Sequence, residues 1–200
     1  LCSGLTGNLV IPDSVTSIGE RVFNNCEGLT SVDIPDSVTS IGDSAFNNCN
    51  KLTSLTLPDS VTSIGDDAFG YCKGLTGNLV IPDSVTSIGD GAFSYCNKLT
   101  SVVIPDSVTS ISNNVFSWCS NLTGELVIPN SVTSIGSSAF HSCSKLTSVV
   151  IPDSVSSINK SAFHSCSGLT NLTIGSGVTS IGDSAFENCK ELTSLVIPDS

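Results

Sequence analysis

Cysteine and histidine are the side chains whose types promise chemistry in this sequence, and their spacing decides what kind. Nine cysteines occur in the 200 residues, and eight of them, Cys26 to Cys189, each stand three residues after a phenylalanine. A metal site wants ligands clustered as in C-x-x-C, whereas each of these cysteines is alone in its stretch of chain. Disulfides between successive cysteines are opposed by side chains that leave the backbone in parallel, because the bond needs a torsion of about 90°. The expectation is a file of buried, reduced thiols that act as small apolar groups and stay unreactive even in a secreted protein. His141 and His164 each precede a cysteine by two residues and should lie side by side. With no carboxylate assured nearby, they read as exposed neighbours rather than metal ligands. An aspartate after proline recurs as Asp13, Asp36, Asp59, Asp83, Asp106 and Asp153. Such a column could collect calcium, but the turn itself already selects aspartate. No nucleophile–base–orienter set, phosphate-cradling glycine loop or catalytic carboxylate pair stands apart from this pattern. The residues therefore point away from an enzyme, and no metal or cofactor is implied.

The elements that must position these groups follow from the eight phenylalanines. Phe23, Phe46, Phe69, Phe93, Phe116, Phe140, Phe163 and Phe186 are spaced by 23, 23, 24, 23, 24, 23 and 23 residues. A fixed period in this range marks a stacked-repeat architecture. One unit, Leu99 to Asn121, reads L-T-S-V-V-I-P-D-S-V-T-S-I-S-N-N-V-F-S-W-C-S-N. Gly7-Asn8, Gly77-Asn78 and Gly124-Glu125 replace a single serine and explain every longer unit. Val102 and Ile104 alternate with Val103 as strand residues do, with Val103 facing out. Ile-Pro-Asp-Ser then makes a turn in which Asp and Ser bond back to their own backbone. Val-Thr-Ser-Ile is a second short extended segment, and Ile41 to Cys49 reads as one or two helical turns with Asp43 as N-cap. Lys160 occupies the same place without a capping oxygen.

The runs L-x-x-[LV]-x-[IL]-P-[DN]-S-V-[TS]-S-I-[GSN]-x-x-[AV]-F-x-x-C cover the whole chain and resemble the BspA-like, or Treponema pallidum type, leucine-rich repeats. Gly175 and Gly177 depart from the pattern in one turn, and Leu57 in another. The resemblance implies a repeat solenoid: a right-handed leucine-rich-repeat superhelix, β-rich with short helical turns, of about 8.5 coils of 23–24 residues. It also implies a cell-surface or secreted protein that mediates adhesion. Neighbouring coils should pair their strands in parallel at about 4.8 Å, in a rod or arc of about 40 Å. Because the chain opens inside a unit at Leu1-Cys2 and stops in a turn at Ser200, residues 1–200 read as a single array, a segment of a longer repeat protein. Uncapped ends would leave self-assembly open.

Charge narrows the partners. Seven Lys and Arg against 18 Asp and Glu give a net charge of −11, which is wrong for displacing counterions from nucleic acid. No apolar run is long enough to insert in a membrane. A protein partner, whether host, matrix or a second copy, is the expectation. Val80, Val103, Val127 and Val150 should stand side by side on the outer face of the main strands, where a contiguous apolar patch marks a contact surface. Val10 and Val196 continue the column, with Asp33, Thr56 and Thr173 interrupting it. Tyr71, Tyr95 and Trp118, each one residue before cysteine in three successive coils, form a second candidate. Threonines recur from Thr16 to Thr179, but their neighbours do not make the paired flat array that ice binding needs, and Thr is a good strand residue regardless. Asn121, Asn159 and Asn171 open N-glycosylation sequons. The rival to an adhesion module is a structural spacer or fibre-forming subunit, in which the array supplies length.

Overall fold

A computed structural model describes residues 4–193 and 195; Cys2, Val196 and Pro198, which continue the repeat columns, lie outside the described residues. The fold is a parallel β-solenoid in which each unit closes one coil. Main strands are β1 (Thr6–Val10), β3 (Gly28–Asp33), β6 (Gly77–Val80), β8 (Leu99–Val103), β9 (Gly124–Val127), β11 (Leu146–Ile151) and β13 (Asn171–Ile174). Two-residue strands alternate with them: β2 (Ser17–Ile18), β4 (Ser40–Ile41), β5 (Ser63–Ile64), β7 (Ser87–Ile88), β10 (Ser134–Ile135), β12 (Ser157–Ile158) and β14 (Ser180–Ile181). All pairings are parallel. The short strands form the sheets β2-β4-β5-β7 and β10-β12-β14, bridged by Ile111 opposite Ile135.

The main sheet comes in pieces, β1-β3, β6-β8 and β9-β11-β13. Its second and third pieces begin at β6 and β9, the strands that open with an inserted glycine, Gly77 and Gly124. Both glycines have positive φ, 79° and 75°, and the register to the following coil slips beside each. The inserted residue thus shows as a register slip to the following coil, and among the described residues no ladder joins β9 to β8, the main strand before it. Residues 53–57 carry no strand.

The phenylalanine segment is where the structure departs from the sequence pattern. No helix occurs among the described residues; the segment is a run of overlapping turns. In one coil the amides of Ala45, Asn47 and Cys49 bond back three residues to Gly42, Ser44 and Phe46. The alternate amides of Ser44, Phe46 and Asn48 leave the coil and bond to Asp66, Ala68 and Gly70 of the next. Left-handed residues two before and two after phenylalanine, such as Ser44 (φ 53°) and Asn48 (φ 61°), turn every second amide outwards. Apolar spacing of three residues reads as a helix in isolation, but a neighbouring coil offers acceptors that no isolated helix has. Asp43 accordingly caps nothing of its own: its Oδ1 accepts the amide of Asp66 one coil on, at 2.9 Å. Asp66, Asp90 and Asn113 repeat that bond upwards, to Asp90, Asn113 and Ser137.

Like residues pile into columns. All eight phenylalanine rings stack, neighbours' centroids 5.2–5.8 Å apart, and Phe46 to Phe163 have no exposure. Polar members of the repeat tie the columns together. The serine of each Pro-Asp-Ser turn, from Ser37 to Ser154, donates to a valine carbonyl of the coil below at 2.6–2.8 Å, and not to its own turn. Threonine hydroxyls in both extended segments also donate downwards, Thr62 to Thr39 and Thr53 to Thr30, each at 3.1 Å.

Candidate binding surfaces

The main strands bury alternate side chains, and that alternation sets the valine column. Val103 is 49% exposed and Val80 and Val127 slightly more, while Val150 is half-buried. Val80 lies opposite Val103, and Val127 opposite Val150. Between Val103 and Val127 the ladder is interrupted, so the column is two pairs rather than four residues of one sheet. A polar file runs beside it: Ser101 donates to Asn78 at 2.8 Å, and Ser31 to Asn8 at 2.7 Å. Val10, at 65%, belongs to the same column and lies opposite Asp33.

Tyr71, Tyr95 and Trp118 occupy the left-handed position two residues after phenylalanine, with φ of 59°, 59° and 63°. Asn25 and Asn48 hold the same place in other coils, as suits a residue type that tolerates that conformation; bulky side chains there are uncommon. Stacking offsets the conformational cost. Tyr71 and Tyr95 rings lie 4.3 Å apart and nearly parallel, and Tyr95 and Trp118 5.6 Å apart. The ammonium of Lys73 sits 5.7 Å from the centre of the Tyr71 ring. His141 and His164 extend this file, which the one-residue offset conceals in the sequence: Trp118 meets His141 at 5.6 Å and 56°, and His141 stacks on His164 at 5.0 Å. Stacked imidazoles point their lone pairs side by side instead of at a common centre, so they do not form a chelate. Burial, helped by His164, holds the His141 imidazole below its ordinary pKa. His164 lies 3.7 Å from Glu187.

The cysteines do more than fill space. Each Sγ from Cys49 to Cys189 donates to the phenylalanine carbonyl of the coil below, Cys119 to Phe93 at 3.2 Å among them. The seven cysteines from Cys49 to Cys189 are free thiols. Burial pushes the Cys119 thiol up to about 12 and those of Cys96 and Cys143 well above their ordinary range. Of the sequon asparagines, Asn159 and Asn171 are exposed, whereas Asn121 is half-buried and its Nδ2 donates to the Asn97 carbonyl at 2.7 Å.

Coils built from a strand, a proline-led turn, a two-residue strand and a phenylalanine turn segment, stacked over one apolar core, define a leucine-rich-repeat solenoid. The chain belongs to the BspA type leucine-rich repeat family, whose repeat region matches residues 2–123 and 123–200 in 6 copies. It is similar to a leucine-rich repeat protein of Bacteroides ovatus, with 30% identity, a TM-score of 0.58, and 98% of this chain and 68% of that one covered. The T. pallidum leucine-rich repeat protein is similar at 31% identity and a TM-score of 0.64, over 94% of this chain and 78% of that one. The pneumococcal vaccine antigen PcpA shares the fold at 20% identity and a TM-score of 0.61, over 99% of this chain and 62% of that one. No curated protein matches the chain.

Proposed function

We propose that this chain is a non-catalytic protein-binding module, part of a cell-surface or secreted protein that works in adhesion, and that residues 1–200 form one continuous array. The observation that carries the reading is the valine column: Val80, Val103 and Val127 are each about half exposed or more, on strands whose opposite face packs against the core. Apolar side chains held in file on a rigid sheet lose little entropy on docking, which favours a protein partner. The recurrent hydroxyls and thiols, which would be the nucleophiles of an enzyme, are already committed as donors to neighbouring coils. The test replaces Val103 and Val127 with Asp and measures capture of the chain by cultured host cells and by immobilised matrix proteins. Capture should fall at least tenfold with the circular dichroism spectrum unchanged; undiminished capture refutes the site.

A spacer or fibre subunit is the second reading. Its support is that so much of the repeat, serine, threonine and cysteine alike, serves coil-to-coil bonding. Electron microscopy of the full-length protein separates the two, since filaments count against the plain adhesion module and discrete particles against the fibre.

A further inference from the structure

One groove in the structure is built by departures from the repeat instead of by the repeat itself. It encloses about 480 Å³ and runs across successive coils beside the phenylalanine segment. Tyr71, Tyr95 and Trp118 form one wall. Asp67, Asp90, Asn114, Ser94, Ser117 and His141 are among the residues that line the rest of the groove. In the column two residues before phenylalanine, Gly91 stands alone among Arg21, Ser44, Asp67, Asn114 and Ser138. The missing side chain leaves a notch, and the Asp67 carboxylate lies in it: a Cβ on Gly91 would come within 2.4 Å of Asp67 Oδ1. A Cβ on Gly70 would come within 3.2 Å of the same oxygen.

The Asp67 carboxylate is half-buried and has no hydrogen-bond partner or counter-ion among the described residues. Its charged neighbours are Asp66, Asp90 and Asp43, and burial followed by these three raises its pKa. Ion pairs within the described residues join Arg21 to Glu20 and His164 to Glu187, neither of them at the groove. A carboxylate partly withdrawn from water beside like charges is stabilised by a cation that arrives from outside. The aromatic wall narrows the cation. Its rings stack on one another at 4.3 and 5.6 Å, so the faces between them are covered and offer no platform for a sugar ring. It does offer a low-dielectric flank to a planar, weakly hydrated ion. A guanidinium fits that description: its fork of donors can bridge the unpartnered Asp67 carboxylate and Asp90, whose two oxygens also accept from the Asn113 amide and side chain at 2.9 and 3.1 Å, which an ammonium cannot match. At about 5 Å per coil the wall from Tyr71 to His141 is roughly 15 Å long, the span of four or five extended residues.

We propose that the groove between Asp67, Asp90 and the Tyr71–Tyr95–Trp118 wall binds an arginine side chain of an extended segment of a partner protein. The protein-binding reading above supplies only the source of that arginine; the surface is carried by a different part of each coil from the valine column. Trp118 is the chain's single tryptophan, so its emission reports on the groove directly.

Titration of the full chain with the peptide acetyl-Gly-Arg-Gly-amide should give a saturable change in Trp118 emission, and the neutral citrulline peptide should give none. Asp67→Asn keeps the shape and removes the charge; a hydrogen-bonded charge pair of this kind makes the expected loss of affinity tenfold or more, with an unchanged circular dichroism spectrum. Gly91→Ser, which restores the residue type of other coils, should weaken binding by displacing the carboxylate. The Val103→Asp, Val127→Asp chain should bind the peptide as the parent does. An equal response to the citrulline peptide, tighter binding of spermidine than of the arginine peptide, full binding by both groove variants, or loss of binding in the valine variant overturns the assignment.

Discussion

Alkaline pH should unfold this chain through its cysteine file, and the steepness follows from burial. The side chains of Cys72, Cys96, Cys119, Cys143 and Cys166 are all at 0% exposure. Burial raises every one of these thiols above the ordinary value of 9.0, that of Cys119 to about 12. Between pH 9 and 12 the unfolded chain surrenders its thiol protons while the folded chain keeps them, so the folded state binds more protons and stability falls as pH rises. Below pH 9 the contribution is fully present. Each thiol has a slope of about 1.4 kcal/mol per pH unit, and five acting together give about 7 kcal/mol per unit. A native stability on the order of 5–15 kcal/mol would then be spent within about two pH units. Cooperative unfolding should precede ionisation of any of the five in place. The assay is an equilibrium titration that follows far-UV circular dichroism together with thiolate absorbance, corrected for the tyrosines. Thiolate should appear in one steep step with the loss of structure, and Cys119→Ala should make that step shallower by one thiol's share. Thiolate that builds up gradually around pH 9 while the dichroism persists would show that the file is not buried as described.

Two further outcomes test the columns. Phe93→Ala empties a site with no exposure between Phe69 and Phe116, and should cost about 3–5 kcal/mol in chemical denaturation. Ser84→Ala and Ser131→Ala each remove a bond to the coil below, at 2.7 and 2.6 Å, and should cost about 1 kcal/mol apiece, adding without coupling because the two are coils apart.

Much of this architecture is visible in the spacing of a few residue types. The phenylalanine period predicts the ring stack, and the alternation of Val102, Val103 and Ile104 predicts which valine faces out. The turn at Pro-Asp-Ser-Val is legible too, since proline's carbonyl accepts the valine amide in every coil from Pro12 to Pro152. The segment from Ile41 to Cys49 is not. Its apolar spacing is that of a helix, and nothing local reveals that every second amide will find a better acceptor 22 residues on. The valine column is half legible: its direction follows from alternation, but the missing ladder between β8 and β9 that divides it is visible only in the structure. Asp67 and Gly91 escaped notice for a different reason. Each is unremarkable alone, and the sequence signal, glycine where other coils carry a side chain, gains meaning only when its neighbours in the next coils are known.

The sequence by itself determined the coil, its length, its apolar interior and the identity of its columns, because a strict period leaves the leucines, isoleucines and phenylalanines of one unit no burial except against the next. The tertiary structure decided where the polar side chains spend their bonds. Serine, threonine and cysteine reach the coil below instead of their own turns, since stacking brings backbone carbonyls of another unit closer than any local acceptor. It also decided which columns face one another: Asp67 and Tyr71 border one groove only because left-handed residues on both sides of Phe69 swing them outwards together.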